Sequence, residues 1–288
     1  MRFYHSFWSK PAHTLERCKN FLLKNLHLIA LSLHYVKKHG HEIVLHTDSV
    51  AARILNHLPY DDIYCTLDDS QLKEYTSKVF WAAGKVCAHV KEPLGSISID
   101  TDVLLKKPKV FDILQNDKGR IALVVQDLEI DDCGHYEQPR NFIKPYVMHR
   151  YAPKEMRFDD ITAFNCGIIG FFDAGLKDGY ISAYKEITLL LSRSNQLLSK
   201  IDPKSTALDL FLEQMWLKNL TDYHGYNVKK LLPDRITSRV NIIKDDELGY
   251  EHFFTDFKEK EKENIKRELL CENPNLFVKI ENLIKKEN

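Results

Sequence analysis

The sequence predicts an α/β protein whose mostly parallel sheet is flanked by helices and followed by a helical C-terminal extension. Strand-like and helix-like segments alternate through the first third of the chain, which is typical of a parallel sheet covered on both faces. The 288 residues, 44% of them hydrophobic, are enough to bury a large core. Residues 256–288 are charged and helical in pattern, so we predict a main domain over 1–255 and an extension over 256–288.

Each element is assigned from a local pattern. Runs of β-branched and aromatic residues predict strands, and apolar residues that recur every three or four positions predict helices. The predicted order is strand MRFYHSF, a helix over 21–36 that stops at Gly40, strand EIVLH, helix SVAARILNHL capped by Thr47 or Asp48, strand DIYCTL, a helix over 70–89, strand SISID, helix VFDILQ, strand IALVVQD, strand ITAFNCGIIGFF, and helices over 175–192 and 203–220.

Residues 128–160 differ from the rest of the chain. They are polar, contain Pro139, Pro145 and Pro153, and show little periodicity. Loops of this length in compact domains are usually functional or disordered. We therefore predict a lid over 128–160 on one side of a binding site.

Charge, cysteine content and hydropathy exclude several classes of protein. Lys plus Arg and Asp plus Glu each number 41, so no broad cationic surface is available for a nucleic acid. The six cysteines form no C-x-x-C pair, which argues against a zinc module or a secreted disulfide scaffold and favours the cytoplasm. Polar residues interrupt the most apolar N-terminal stretch, so no membrane span is predicted, whereas peripheral membrane contact through the C-terminal helices stays open.

Two aspartates within an apolar stretch are the main functional signal. Residues 97–108 read ISIDTDVLLKKP, which places Asp100 and Asp102 directly after a buried strand. Residues i and i+2 of a pleated strand point to one face, so both carboxylates can meet at one place. Such a pair repels unless a cation neutralises it, and Mg²⁺ or Mn²⁺ with substrate phosphate oxygens fits that need. The pattern predicts a metal–diphosphate site, with two caps on a turn as the structural alternative.

Other aspartates end predicted strands as well. Asp48 follows the second strand, and Asp127 ends the strand IALVVQD. Ligands of parallel α/β sheets bind at the carboxyl ends of strands, so both residues are candidate ligand contacts. Helix capping explains Asp48 without any ligand.

Several short motifs resemble those of metal-dependent glycosyltransferases that use nucleotide sugars and have the Rossmann-type GT-A fold. The D-x-D block follows an apolar strand late in a series of βα units, as in these enzymes. HSFW at 5–8 resembles the first-strand H-x-x-W of capsular and outer-chain mannosyl- and galactosyltransferases and of clostridial toxin glucosyltransferases. FNCGIIGF at 164–171 is similar to the N-x-G strand of glycogenin-like and lipopolysaccharide galactosyltransferases.

The resemblance extends to two further segments and departs from the family at two places. LEQMWL, which contains Glu213 and Gln214, resembles a helix that faces the donor sugar or acceptor, and His252 with Lys258 resembles a C-terminal segment that closes over metal and phosphate. Toxin-type relatives carry an aspartate and an arginine in the helix before the D-x-D strand, where this chain offers Trp81 and Lys85. The glycine expected after the histidine is also missing.

The resemblance implies a retaining glycosyltransferase that moves a sugar from a nucleotide donor to a glycan, lipid-linked or protein acceptor in bacterial surface-polysaccharide synthesis. The donor that it favours is a UDP-sugar. The lid would then cover the acceptor side. Together, pattern and resemblance give these candidate residues: for catalysis Asp100, Asp102 and Glu213; for Mn²⁺ or Mg²⁺ Asp100, Asp102 and His252; and for the nucleotide sugar Trp8, Asp48, Lys85, Asp100, Asn165, Gln214 and Lys258.

Each of these residues also has a structural explanation. Trp8 would stack on the base, but a tryptophan so near the N-terminus is as often part of the core. Lys85 would reach the diphosphate and His252 the metal, or both would be surface residues. Asn165 would bond sugar hydroxyls or make an ordinary turn hydrogen bond, and Glu213 would orient the sugar or lie at the rim of an amphipathic helix.

Two rival functions share parts of the pattern. Haloacid-dehalogenase-like phosphatases also carry D-x-D after an apolar strand, with the first aspartate as nucleophile. Their motif normally continues with x-Thr or x-Val and opens the domain, whereas here Val103 and Leu104 follow and the motif comes late. A non-catalytic sugar-binding protein of transferase fold is the second rival, and it predicts that Asp102→Asn leaves ligand binding intact.

Overall fold

The computed structural model describes residues 1–12, 14–68, 72, 80–115, 120–130, 162–194, 207–232, 236–237, 242–254 and 257–288. Within these residues the protein has the predicted fold class. Its main sheet is mostly parallel and flanked by helices, and further helices follow at the C-terminal end. No helix in these ranges is long and apolar enough to cross a membrane.

The described strands range in length from two to ten residues. They are β1 Arg2–Phe7, β2 Glu42–Thr47, β3 Ile63–Tyr64, β4 Ile97–Ile99, β5 Val103–Leu105, β6 Leu123–Ile130, β7 Thr162–Phe171, β8 Val228–Lys230, β9 Ile236–Thr237, β10 Ile242–Asp245 and β11 Tyr250–Phe253.

The described helices are distributed along the chain. They are α1 Leu15–Lys38, α2 Ser49–Leu55, α3 Ala83–Lys91, α4 Pro108–Leu114, α5 Ala174–Ser192, α6 Ala207–Leu210, α7 Trp216–His224, α8 Phe257–Lys260, α9 Lys262–Glu272 and α10 Pro274–Glu287. A π-helical turn, Phe211–Met215, joins α6 to α7, and short 3₁₀ turns span Lys10–Ala12 and Thr66–Asp68.

The chain forms two compact units. Unit 1 comprises Met1–Cys65, Ser98–Gln115 and Arg239–Asn288, and unit 2 comprises Thr66–Ile97 and Asn116–Ser238. The described helices after residue 256 therefore belong to unit 1 together with the N-terminal strands. The division into a domain over 1–255 and an extension over 256–288 stays a prediction.

Unit 1 contains a set of neighbouring strands and a small antiparallel sheet. The strand order of the first is β3–β2–β1–β4, with β1 and β2 parallel so that Arg2 lies opposite Glu42. In the second, β11 lies between β10 and β5, and both pairings are antiparallel. Strand β5 of the small sheet directly follows the two aspartates of the predicted site.

Helix α1 forms the centre of the unit 1 core. Thr14 caps its first turn by accepting a hydrogen bond from the Arg17 N–H at 3.1 Å, so the helix begins six residues before the predicted start. It ends before Gly40, whose φ of 76° is the left-handed conformation that glycine tolerates. The apolar side of α1 packs against buried residues of α9 and α10, which are Ile265, Leu269, Leu276, Ile280 and Leu283.

Unit 2 contains strands β7, β6 and β8 in that order. β6 pairs antiparallel with β7 and parallel with β8, and the short β9 also pairs with β6. The register between β6 and β7 shifts between Val125 and Asp127, which is a local irregularity of the ladder. The buried faces of α3, α5 and the π-helical turn complete this unit.

Two further predicted elements differ from the structure. DIYCTL contains only the two-residue strand β3 before the chain enters a 3₁₀ turn, and the described α-helix of the predicted 70–89 segment runs from Ala83 to Lys91. The predicted lid is only partly observable, because residues 128–130 belong to β6 while 131–160 lie outside the described residues.

Candidate functional site

Asp100 and Asp102 lie in a turn between β4 and β5. Strand β4 ends at Ile99, and the Val103 N–H donates a hydrogen bond to the Asp100 carbonyl at 3.0 Å. A bond from residue i+3 back to residue i closes a β-turn. The expectation that a pleated strand carries both carboxylates is therefore wrong, because a turn brings them together instead.

Strand pairing places His252 beside this turn. His252 lies on β11 directly opposite Val103 of β5, and the Phe253 N–H donates to the Asp102 carbonyl at 3.1 Å. One ligand atom from each of Asp100, Asp102 and His252 lies within 4.8 Å of the other two. The three residues predicted to hold a metal therefore lie close together, and their binding of a metal stays a prediction.

Lys258 reaches the same aspartate from helix α8. Its Nζ lies 2.6 Å from Asp102 Oδ2, while His252 Nε2 lies 3.6 Å from Asp102 Oδ1. Burial raises the pKa of Asp102, but the positive charge of Lys258 and the neighbouring His252 outweigh burial and hold that pKa below its usual value. Asp102 is thus a carboxylate at neutral pH.

The donor atoms at this turn suit a hard divalent cation. Two carboxylates and one imidazole match the ligands that Mn²⁺ takes in proteins, and Mg²⁺ accepts the carboxylates with water. Among the described residues, no other three His, Cys, Asp or Glu side chains come equally close. Because Lys258 contacts Oδ2, Asp102 would offer Oδ1 to a cation or share its carboxylate between the two. The residues present therefore fit the predicted metal.

The two other unit 1 candidates, Asp48 and Trp8, lie near the ends of β2 and β1. Asp48 caps α2, because its carboxylate accepts from the Val50 and Ala51 N–H groups at 3.0 and 2.9 Å, and it also accepts from the Ser9 N–H at 2.6 Å. The capping explanation of Asp48 is thus correct, and a ligand contact would be an additional role. Trp8 is half-buried, so it is not part of the hydrophobic core. Lys10 Nζ lies 5.5 Å from the centroid of its ring.

In unit 2, Lys85 and Glu213 form a buried ion pair. Lys85 Nζ donates to Glu213 Oε1 and to the Cys166 carbonyl, both at 2.9 Å. Both side chains are almost fully buried, so the surface explanation of Lys85 and the rim explanation of Glu213 are wrong. A pair in this environment is fixed in geometry, since separating it would leave an uncompensated charge.

Asp209 was missed by sequence reasoning. It is fully buried on α6 and accepts hydrogen bonds from the Tyr184 hydroxyl at 2.5 Å and from the Ala82 N–H. Burial raises the pKa of Asp209 to about 8, although these two donors act in the opposite direction. Its sequence signal was an acidic residue within the apolar run ALDLF, one turn before Glu213.

Asn165 and Gln214 lie at buried positions of unit 2. Asn165 on β7 stands opposite Asp127 of β6, and its Oδ1 accepts from the Gly167 N–H at 3.0 Å. The Gln126 side chain approaches Asp127 Oδ1 at 3.4 Å. Gln214 lies in the π-helical turn beside Glu213. Asn165 thus makes the ordinary local hydrogen bond of its structural explanation, and sugar contacts by these residues stay predictions.

Comparison with known proteins gives one family and a distant structural likeness. A search of curated proteins finds no match to the chain. The crystal structure of mouse xyloside xylosyltransferase 1 in its apo form is 14% identical, with 80% of this chain and 77% of that chain covered and a TM-score of 0.33. The model of the Family of unknown function (DUF6734) matches residues 1–283, nearly the whole chain, so the protein belongs to this family.

Proposed function

We propose that the protein is a metal-dependent glycosyltransferase with a GT-A-like fold. It would move a sugar from a nucleoside diphosphate donor to a glycan, lipid-linked or protein acceptor. The observation that carries the proposal is the convergence of Asp100, Asp102 and His252 within 4.8 Å, with the Lys258 ammonium against Asp102. This combination of carboxylates, imidazole and ammonium is suited to a divalent cation together with a diphosphate.

The chemistry needs negative charge to be stabilised on the leaving diphosphate as the bond to the sugar breaks. A Mn²⁺ or Mg²⁺ ion held by Asp100, Asp102 and His252 would supply a Lewis acid there. Lys258 carries three N–H donors, so it can keep its contact with Asp102 and still donate to a phosphate oxygen. The lowered pKa of Asp102 keeps its carboxylate ionised and able to hold a cation at neutral pH.

The remaining candidate residues enter the proposal in narrower roles. Trp8 would stack on the base of a UDP-sugar, and the side-chain amides of Asn165 and Gln214 would form hydrogen bonds with sugar hydroxyls. Lys85 and Glu213 neutralise each other and are both buried. Glu213 would therefore have to exchange this partner to act on the sugar or acceptor, and Lys85 would have to do so to reach a diphosphate. Retention of anomeric configuration, a cytoplasmic location and surface-polysaccharide synthesis belong to the same proposal.

The test is a screen of nucleotide sugars by thermal shift and calorimetry, each with and without Mn²⁺. We expect at least one nucleotide sugar to raise the unfolding temperature only when Mn²⁺ is present, since ligands that bind the folded state stabilise it. Asp102→Asn should abolish this shift, whereas Asp112→Asn, at an exposed position of α4, should not. A screen in which no nucleotide sugar stabilises the protein with Mn²⁺ would contradict the proposal.

Two further measurements separate the rival functions. Rapid Mg²⁺-dependent hydrolysis of a generic phosphate ester through an aspartyl-phosphate would favour a phosphatase. Sugar binding that survives Asp102→Asn unchanged would favour a non-catalytic binding protein. Transfer of sugar to an acceptor, lost in Asp102→Asn, distinguishes the transferase from both.

A further inference from the structure

A buried chain of hydrogen bonds in unit 1 ends on the residue that follows Asp102. The Tyr60 hydroxyl lies 2.7 Å from His5 Nδ1, His5 Nε2 lies 3.2 Å from Ser32 Oγ, and Ser32 Oγ donates to the Val103 carbonyl at 2.6 Å. His5, Ser32 and Val103 are completely buried. These hydrogen bonds link β1 and α1 to the start of β5.

The donor and acceptor groups fix the direction of each of these three hydrogen bonds. The Val103 carbonyl can only accept, so Ser32 gives its single proton to that carbonyl. His5 Nε2 must then donate to Ser32 Oγ, which leaves Nδ1 as the acceptor for the Tyr60 hydroxyl. Burial lowers the pKa of His5 to about 3 although the negative charge of Asp102 raises it, so the ring is neutral, as this arrangement requires.

Val103 lies where the turn that carries Asp100 and Asp102 meets strands β5 and β11. Its N–H donates to the Asp100 carbonyl and so closes the turn. Its position in β5 is directly opposite His252, and the preceding carbonyl, of Asp102, accepts from the Phe253 N–H. A hydrogen bond that holds the Val103 carbonyl therefore acts on the backbone that positions Asp100, Asp102 and His252.

We propose that Ser32, oriented by His5 and Tyr60, is a positioning residue that sets the geometry of the Asp100–Asp102 turn and thereby its affinity for a divalent cation. The inference rests on the proposed function for the role of that cation. None of the three side chains belongs to the predicted site, and each acts through the backbone of Val103. Hydrogen bonds that orient metal ligands typically change metal affinity by about 10–100-fold when they are removed.

The test compares Ser32→Thr with Ser32→Val. The two side chains have nearly the same shape, but only threonine keeps the hydroxyl. We expect Mn²⁺ alone, titrated by calorimetry or by electron paramagnetic resonance of the free ion, to bind the valine variant about tenfold more weakly than the threonine variant. Equal affinities for the two variants would overturn the proposal. If the added methyl group prevents folding at this buried position, Ser32→Ala compared with the wild type replaces the pair.

Ile29→Val is the matched structural control. Ile29 is buried on α1 one turn before Ser32, so its truncation loosens the same packing without removing a hydrogen bond. We expect Ile29→Val to lower the unfolding temperature and leave Mn²⁺ affinity within twofold of wild type. A weakening as large as that in Ser32→Val would mean that general loosening of the core, and not the hydroxyl, controls the turn.

A second measurement needs no metal and separates this inference from the proposed function. The Val103 and Phe253 amides, which donate to the two aspartate carbonyls, should exchange with deuterium at least tenfold faster in Ser32→Val than in Ser32→Thr. Unchanged exchange would overturn the positioning role even if Mn²⁺ binds. Faster exchange in a protein that binds no Mn²⁺ would support the positioning of the turn, but it would refute the proposed function and the effect on metal affinity.

Discussion

Lys258 forms an ion pair with Asp102, with Nζ 2.6 Å from Oδ2, although the two residues lie 156 positions apart in the sequence. The pair joins helix α8 to the turn between β4 and β5, and both side chains are mostly buried. Because Lys258 lowers the pKa of Asp102 and burial raises it, removing the lysine should shift that pKa upward.

Lys258→Met should therefore raise the pKa of Asp102 and destabilise the protein at neutral pH by about 1–3 kcal/mol. The folded-state pKa of Asp102 is depressed, so its contribution to stability is present above the unfolded value near 3.8 and is lost as the pH falls through the folded value. Carbon-detected NMR titration of the aspartates and urea unfolding at pH 7 and pH 3 measure the two effects. Lys279→Met, at an exposed position of α10, should change neither.

The C-terminal helices should be essential to the stability of unit 1. Leu269 is fully buried against α1, whereas the adjacent Leu270 is 43% exposed. Leu269→Ala should lower the free energy of unfolding by about 2–5 kcal/mol, and Leu270→Ala should change it by about 0.5 kcal/mol or less. Chemical denaturation measures both variants. Equal effects of the two substitutions would contradict the packing of α9 against α1.

His5 should make the protein less stable as the pH falls. The unfolded chain protonates this histidine near pH 6.5, but burial lowers the folded-state pKa to about 3. The unfolded state therefore binds more protons between these values, so the contribution of His5 to stability decreases by about 1.4 kcal/mol per pH unit as the pH falls through that range. Urea unfolding of wild type and His5→Gln at pH 7 and pH 5 isolates this effect. A stability difference between the two proteins that does not change with pH would contradict it.

Breaking the Lys85–Glu213 pair on one side should cost more than removing it entirely. Lys85→Met or Glu213→Leu alone leaves a buried charge without its partner and should cost about 3–5 kcal/mol. The double variant should lose much less than the sum of the two single variants. The measurement is a double-mutant cycle, in which the free energy of unfolding is determined for the wild type, both single variants and the double variant. Additive losses would mean that the pair is not coupled in solution.

Periodicity predicted the elements whose burial repeats along the chain. Helix α1, strand β2 and the long strand β7 follow directly from the spacing of their apolar residues, and Asp48 was predictable as a cap because capping is local. Strand β5 was not predicted, because three residues after a turn carry too short a pattern, and its pairing with β11 depends on residues far away in the sequence.

The candidate site was predictable only where its signal is local. The spacing of Asp100 and Asp102 indicated a shared cation, but their arrangement in a turn follows from the Val103 hydrogen bond. The pairing of Lys85 with Glu213 could not be predicted, since each residue separately looked like part of an amphipathic helix. Asp209 was missed for the same reason, because burial and not residue type makes it unusual.

The antiparallel pairing of β5 with β11 has a consequence for synthesis of the protein on the ribosome. Asp100 and Asp102 emerge early, but the strand and helix that carry His252 and Lys258 emerge only after more than half of the sequence has followed. A nascent chain stalled before residue 250 thus lacks both the lysine that pairs with Asp102 and the histidine beside the aspartate turn. The proposed metal site should become complete only when translation has supplied this late segment.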